Sequence, residues 1–147
     1  MSFRNFFSLL SGLFLAGVAG AQTLPLLELT AGIHRVEAEV VNTQQMRMTG
    51  LMNRRAMAPQ RGMLFVFDEA RLHCMWMKNT YIPLSVAFLD DAGRIINVED
   101  MQPHSEENHC AAKPARYALE MNVGWFRQRH LGAGTPIANI ERAPRAR

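Results

Sequence analysis

Five consecutive apolar residues, Met63, Leu64, Phe65, Val66 and Phe67, limit the possible folds more than any other feature of the chain. A run this short, bounded by turn formers, reads as a strand, and its unbroken apolar character means that both of its faces are covered. The chain must therefore build a sheet with material packed on each side. Residues 33–41, with Ile33, Val36, Ala38 and Val40, predict another strand by their β-branched content and partial alternation. Residues 85–89 and 94–98 flank Asp90, Asp91, Ala92 and Gly93, a hairpin signal in which Gly93 supplies a positive φ. Residues 116–121 and 135–140 predict two further strands. Residues 72–77 predict one that returns along 63–67 after a turn at 68–71. Asn42 or Thr43 can cap a short helix through residue 52, and residues 123–131 predict a second helix ended by Gly132 and Gly134. Residues 53–62, 78–83 and 101–114 read as loops. The expected class is mainly β: a single compact β-sandwich, jelly-roll-like or barrel-like domain with two short helices.

The first residues carry an address. Arg4 gives a positive start, residues 6–18 are mostly apolar, and Ala19, Gly20 and Ala21 offer small side chains at the spacing of a cleavage site. That is the pattern of a secretory signal peptide. The apolar stretch falls short of the roughly 20 residues that span a bilayer, so no stable membrane span is expected after cleavage. The expected map is a signal peptide at 1–21, an N-terminal linker or edge segment at 22–32, the β domain at 33–140 and a basic tail at 141–147, frayed from 143 onward. The expected location is periplasmic or secreted.

Apolar residues make up 48% of the chain and charged ones 20%, the balance of a globular protein. The net charge of +3 is spread along the chain, not gathered on one face with aromatics between, so no nucleic acid is expected as a partner. Cys74 and Cys110 are the only cysteines. In an oxidising compartment an even count predicts a disulfide. Closing a loop of roughly 35 residues contributes on the order of 3–4 kcal/mol in the chain-entropy view.

Three segments carry a resemblance. Gly50, Leu51, Met52, Asn53 and Arg54 form the first. Residues 62–67 with 75–80 and Ile82, Pro83 and Leu84 form the second. Leu119, Glu120, Met121, Asn122, Val123, Gly124 and Trp125 form the third. Their order and spacing resemble the bacterial and archaeal domain of unknown function 192 family, over residues 33–140. The resemblance implies an often exported, mainly β domain of the jelly-roll or sandwich kind. It implies no established activity, and no cofactor is expected. Met75 departs from the family pattern, which more often has an aromatic residue there.

Among the chemistry-bearing residues, alternation puts Cys74, Trp76 and Lys78 on one face of their segment and Met75 and Met77 on the other. Lys78, Asn79 and Thr80 then present a cation, an amide and a hydroxyl at a strand end, beside Trp76 and Tyr81, which can stack on a sugar ring. Glu120 and Asn122 form a second group, with Asn122 placed to cap the helix expected from residue 123. A Lys78–Glu120 or Arg47–Glu120 pair would be a purely structural use of that carboxylate. One carboxylate alone does not make a glycosidase, which needs two at a set separation. His104, Glu106, Glu107 and His109 meet no zinc spacing. His73, Met75 and Met77 are soft enough as a set to suggest copper(I), though methionine more commonly fills irregular core gaps.

The leading expectation is a non-catalytic module that binds a small polar ligand or envelope polymer, of the carbohydrate kind, through Trp76, Lys78, Asn79, Thr80, Glu120 and Asn122. Two alternatives remain open at this point: a hydrolase using Glu120, and a periplasmic copper(I)-binding protein using His73, Met75 and Met77. Oligomeric state is not readable from the chain.

Overall fold

The computed structural model describes residues 23–147, so the expected signal peptide lies outside the described residues. Nine strands are present among the described residues: β1 (Leu26–Ala31), β2 (His34–Val41), β3 (Arg61–Arg71), β4 (Cys74–Met75), β5 (Leu84–Leu89), β6 (Ile95–Met101), β7 (His109–Cys110), β8 (Ala115–Asn122) and β9 (Ile137–Ala138). One helix, α1 (Gln44–Thr49), follows β2. Seven strands form one curled sheet in the order β6-β5-β8-β3-β2-β1-β9, and β4 pairs with β7 apart from it. The fold is mainly β and barrel-like.

β2 and β3 run parallel. Their connection, residues 42–60, carries α1 over the sheet, the long crossover that a parallel pair requires. The opposite edges of the sheet approach each other at one end. There, Arg94 bridges Pro136, Gly134 donates its backbone N–H to the Ile95 carbonyl at 2.7 Å, and Ile137 donates to Gly93 at 2.9 Å.

The two-sided burial expected of residues 63–67 is present. Leu64 and Val66 enter one core with Leu29, Val36 and Leu119, while Met63, Phe65 and Phe67 enter a second with Val86, Phe88 and Met77. The second core is roofed by α1 and by the loops around residues 77–82 and 101–111. Gly62 sits where no side chain fits. A Cβ there would lie 2.7 Å from the Glu120 carbonyl oxygen and would also meet the Met121 sulfur. Gly62→Ala is therefore expected to cost about 1–3 kcal/mol through overpacking, read as a lower urea midpoint with an unchanged slope.

Several local expectations need correction. β3 does not turn at 68–71 but continues to Arg71, with a register shift after Val66, supported by Arg116 donating to the Asp68 carbonyl at 2.6 Å. Residues 72–77 do not return along it. Only Cys74–Met75 is strand, and it pairs with His109–Cys110, to which the Cys74–Cys110 disulfide ties it. The helix expected at 123–131 shrinks to a 3₁₀ turn at Arg127–Arg129 because Gly124 takes φ 79°. A left-handed residue cannot sit inside a helix, and the Gly124 N–H goes instead to the Ser85 hydroxyl at 2.8 Å. Asn139, at φ 68°, cuts the last strand to Ile137–Ala138. Residues 26–31 form a full strand held between β2 and β9. The tail is not frayed. Asn42 donates its side-chain amide to the Arg145 carbonyl at 2.8 Å and accepts the Arg147 N–H at 2.8 Å.

Candidate functional site

α1 is capped at its start by Thr43, whose hydroxyl accepts the Met46 N–H at 3.2 Å, and is followed by Gly50, at φ 47°. A side chain at Gly50 would press on the Phe65 ring at 3.2 Å. The chain then turns through residues 51–54, with Leu51 buried beneath it. Arg54 clamps Glu39 of β2 with two hydrogen bonds, of 2.7 and 2.6 Å. That fork holds the Glu39 carboxyl below its ordinary range and raises the arginine. The Asn53 N–H donates to the Asn79 carbonyl at 2.8 Å and so joins the turn to the loop that carries Lys78 and Thr80.

That second loop is built on its own backbone. Asn79 takes φ 54°, the Thr80 N–H reaches the Met77 carbonyl at 3.1 Å, and the Thr80 hydroxyl donates to the Lys78 carbonyl at 3.2 Å. The alternation read from the sequence places the side chains: Met77 is fully buried, whereas Trp76 is 46% exposed.

Glu120 lies on β8 between Met63 of β3 and Val86 of β5, on the sheet face that α1 covers. It is 3% exposed. Burial pushes its carboxyl up to about 8, with no hydrogen bond or neighbouring charge to counter the effect. At neutral pH the group is mostly protonated and offers both a donor and acceptors. It lines a cavity of about 30 Å³ together with Gly50, Leu51, Phe65, Trp76 and Thr80. That volume holds a water-sized group. Trp76 and the exposed Met48 stand at its mouth.

Three of the six proposed ligand residues, Trp76, Thr80 and Glu120, thus line one cavity. Lys78 stands beside it, its ammonium 5.2 Å from the Trp76 ring centroid. Asn79 contributes its backbone carbonyl to the loop contact. Asn122 does not cap a helix. Its amide donates to the Met57 and Ala58 carbonyls at 3.0 and 3.3 Å and fixes the loop before β3. Neither cation considered for Glu120 pairs with it: the Arg47 guanidinium is held by the Asn42 and Val66 carbonyls and by Asp68.

The three residues considered for copper lie in different settings. His73 stacks on Phe67 at 3.7 Å and sets Nε2 3.0 Å from the Glu69 carbonyl, Met77 is enclosed in the core, and Met75 lines the Glu120 cavity. Among the described residues, no three His, Cys, Asp or Glu side chains gather as a metal site. No helix among them is long and apolar enough to cross a membrane.

A family model for uncharacterized ACR proteins, DUF192, matches residues 27–138. The chain belongs to the DUF192 family. Two solved structures resemble this DUF192 protein. One is from Sinorhizobium meliloti 1021, provisionally described as a transcription regulator. It is 35% identical, with a TM-score of 0.74, over 80% of this chain and 96% of that one. The other, a protein of unknown function from Novosphingobium aromaticivorans DSM 12444, is 27% identical, with a TM-score of 0.76, over 82% of this chain and 90% of that one. No curated protein matches the chain significantly.

The three segments that carry the DUF192 resemblance converge on the Glu120 cavity. Gly50, Leu51 and Met52 come from the first, Phe65, Met75, Trp76 and Thr80 from the second, and Glu120 from the third. Site-by-site chemical reasoning missed the apolar walls, because Leu51, Met52 and Phe65 look like any core residues. They lie within the segments that carry the resemblance, Leu51 and Met52 in 50–54 and Phe65 in 62–67.

Proposed function

We propose that the mature DUF192 chain is an exported, non-catalytic binding module whose ligand is a small hydroxylated molecule of the carbohydrate class. The observation that carries this reading is the convergence of three segments on one buried carboxyl without a protein partner, beneath a half-exposed tryptophan. A neutral carboxylic acid can donate to and accept from a single hydroxyl, and Trp76 gives an apolar face for a sugar ring. The cavity admits one hydroxyl or hydroxymethyl group. A lone carboxyl lacks the second one that glycoside hydrolysis requires. The amino-terminal signal pattern and the Cys74–Cys110 disulfide support export.

Calorimetric titration with a panel of neutral mono- and disaccharides tests the reading. Wild type is expected to bind at least one of them saturably. Trp76→Ala should weaken that binding at least tenfold, and Glu120→Gln should keep it at neutral pH, because the amide reproduces both the donor and the acceptor. Wild-type binding should weaken as the pH rises through about 8, where Glu120 ionises, while Glu120→Gln stays level. Absence of saturable binding by neutral and acidic saccharides alike overturns the proposal, as does Glu120-dependent release of reducing ends.

A further inference from the structure

We propose that the ligand of this cavity is an acidic saccharide, whose carboxylate is received by Arg55 and Lys78 at the rim. The inference rests on the binding-module reading and narrows its ligand. Among the cations of the surrounding loops, Arg54 is committed to Glu39 and Arg47 to Asp68. Arg55 and Lys78 have no ion-pair partner among the described residues, and both are exposed. They are nonetheless held in place: the Arg55 guanidinium lies 5.0 Å from the Tyr81 ring centroid and the Lys78 ammonium 5.2 Å from that of Trp76. The two loops are joined by the Asn53–Asn79 backbone hydrogen bond of 2.8 Å, close in sequence to both cations; Lys78 rests on Trp76, which lines the cavity, and Arg55 on Tyr81, which follows the lining residue Thr80.

A cation resting on an aromatic face keeps its charge while losing part of its conformational freedom, so less ordering remains to be done when an anion arrives. The nearest acidic loop, through the Ser105 and His104 backbone contacts to Met77 and Thr80, carries Glu106 and Glu107, which are exposed and pair with neither cation. Glu120 itself does not repel an anionic ligand at neutral pH, because burial keeps it protonated. One hydroxyl in the cavity, a ring at Trp76 and a carboxylate at the rim together match a uronic-acid residue. The groups of a neutral sugar would leave both cations unused.

The test is calorimetric titration of the full mature chain with uronic-acid disaccharides and with their carboxyl-reduced neutral counterparts. The acids are expected to bind at least tenfold more tightly at low salt, with the advantage shrinking as sodium chloride is added. The Arg55→Gln/Lys78→Gln double variant is expected to bring the acids down to the affinity of the neutral sugars and to flatten the salt dependence. Both side chains are exposed, so the variant should melt with wild type. Equal affinity for acid and neutral forms overturns this inference and leaves the binding-module reading standing. Failure of both forms to bind overturns both.

Discussion

Raising the pH from 5 to 8 is expected to destabilise the folded chain by several kcal/mol, and Glu120→Gln is expected to remove that loss. The ordinary glutamate value of 4.5 describes Glu120 in the unfolded chain, whereas burial raises it to about 8 in the folded one. Between those values the folded chain holds a proton that the unfolded chain releases. Stability is therefore fully present below the unfolded value and is lost as the pH rises through the folded one. Each pH unit in that window corresponds to about 1.4 kcal/mol, so the whole effect is on the order of 5 kcal/mol. Glu39 shifts the other way and acts below its ordinary range, outside this window. Urea unfolding at several pH values between 5 and 8, on wild type and Glu120→Gln, provides the measurement. Parallel pH profiles for the two proteins would show that the carboxyl is not enclosed.

Reducing the disulfide is the second large perturbation. Cys74 and Cys110 are 36 residues apart in sequence. Opening a loop of that length is expected to cost about 4 kcal/mol in the chain-entropy view. The effect has a local part as well. β4 and β7 are two residues each and pair only with one another, so without the covalent tie this ladder has little to hold it. Trp76 follows β4 directly. The Cys74→Ser/Cys110→Ser variant should therefore unfold at a markedly lower guanidinium midpoint and show altered tryptophan emission before global unfolding begins. A midpoint unchanged from the oxidised protein would refute the prediction.

Much of the architecture could be read from alternation and turn chemistry. The run at residues 63–67 required a sheet covered on both sides, and the Asp90–Gly93 signal located the β5–β6 hairpin. Both features depend on near neighbours in sequence. The errors arose where distant residues decide. β3 outlasts its apolar run because Arg116 holds the Asp68 carbonyl from another strand. Residues 74–75 find their partner across a loop, not in the preceding strand. The tail is ordered because Asn42, far away in the chain, supplies it with a donor and an acceptor. Gly124 ended the expected helix through a backbone angle that composition does not announce. The candidate site was half legible for a related reason. Glu120 alternates with Leu119 and Met121, which normally places a carboxylate in water. Here both faces of β8 are covered, so the same pattern puts it in the interior.

The meeting of Arg94 with Pro136, and of β1 with β9, has a consequence for biogenesis. β1 finds one of its two neighbours only in β9, far downstream in sequence, so that side of the sheet stays open until residues 134–138 are in place. Pairings of such long sequence separation form slowly. Until β9 is in place, the outer edge of β1 keeps unpaired backbone groups that can template pairing with any strand it meets.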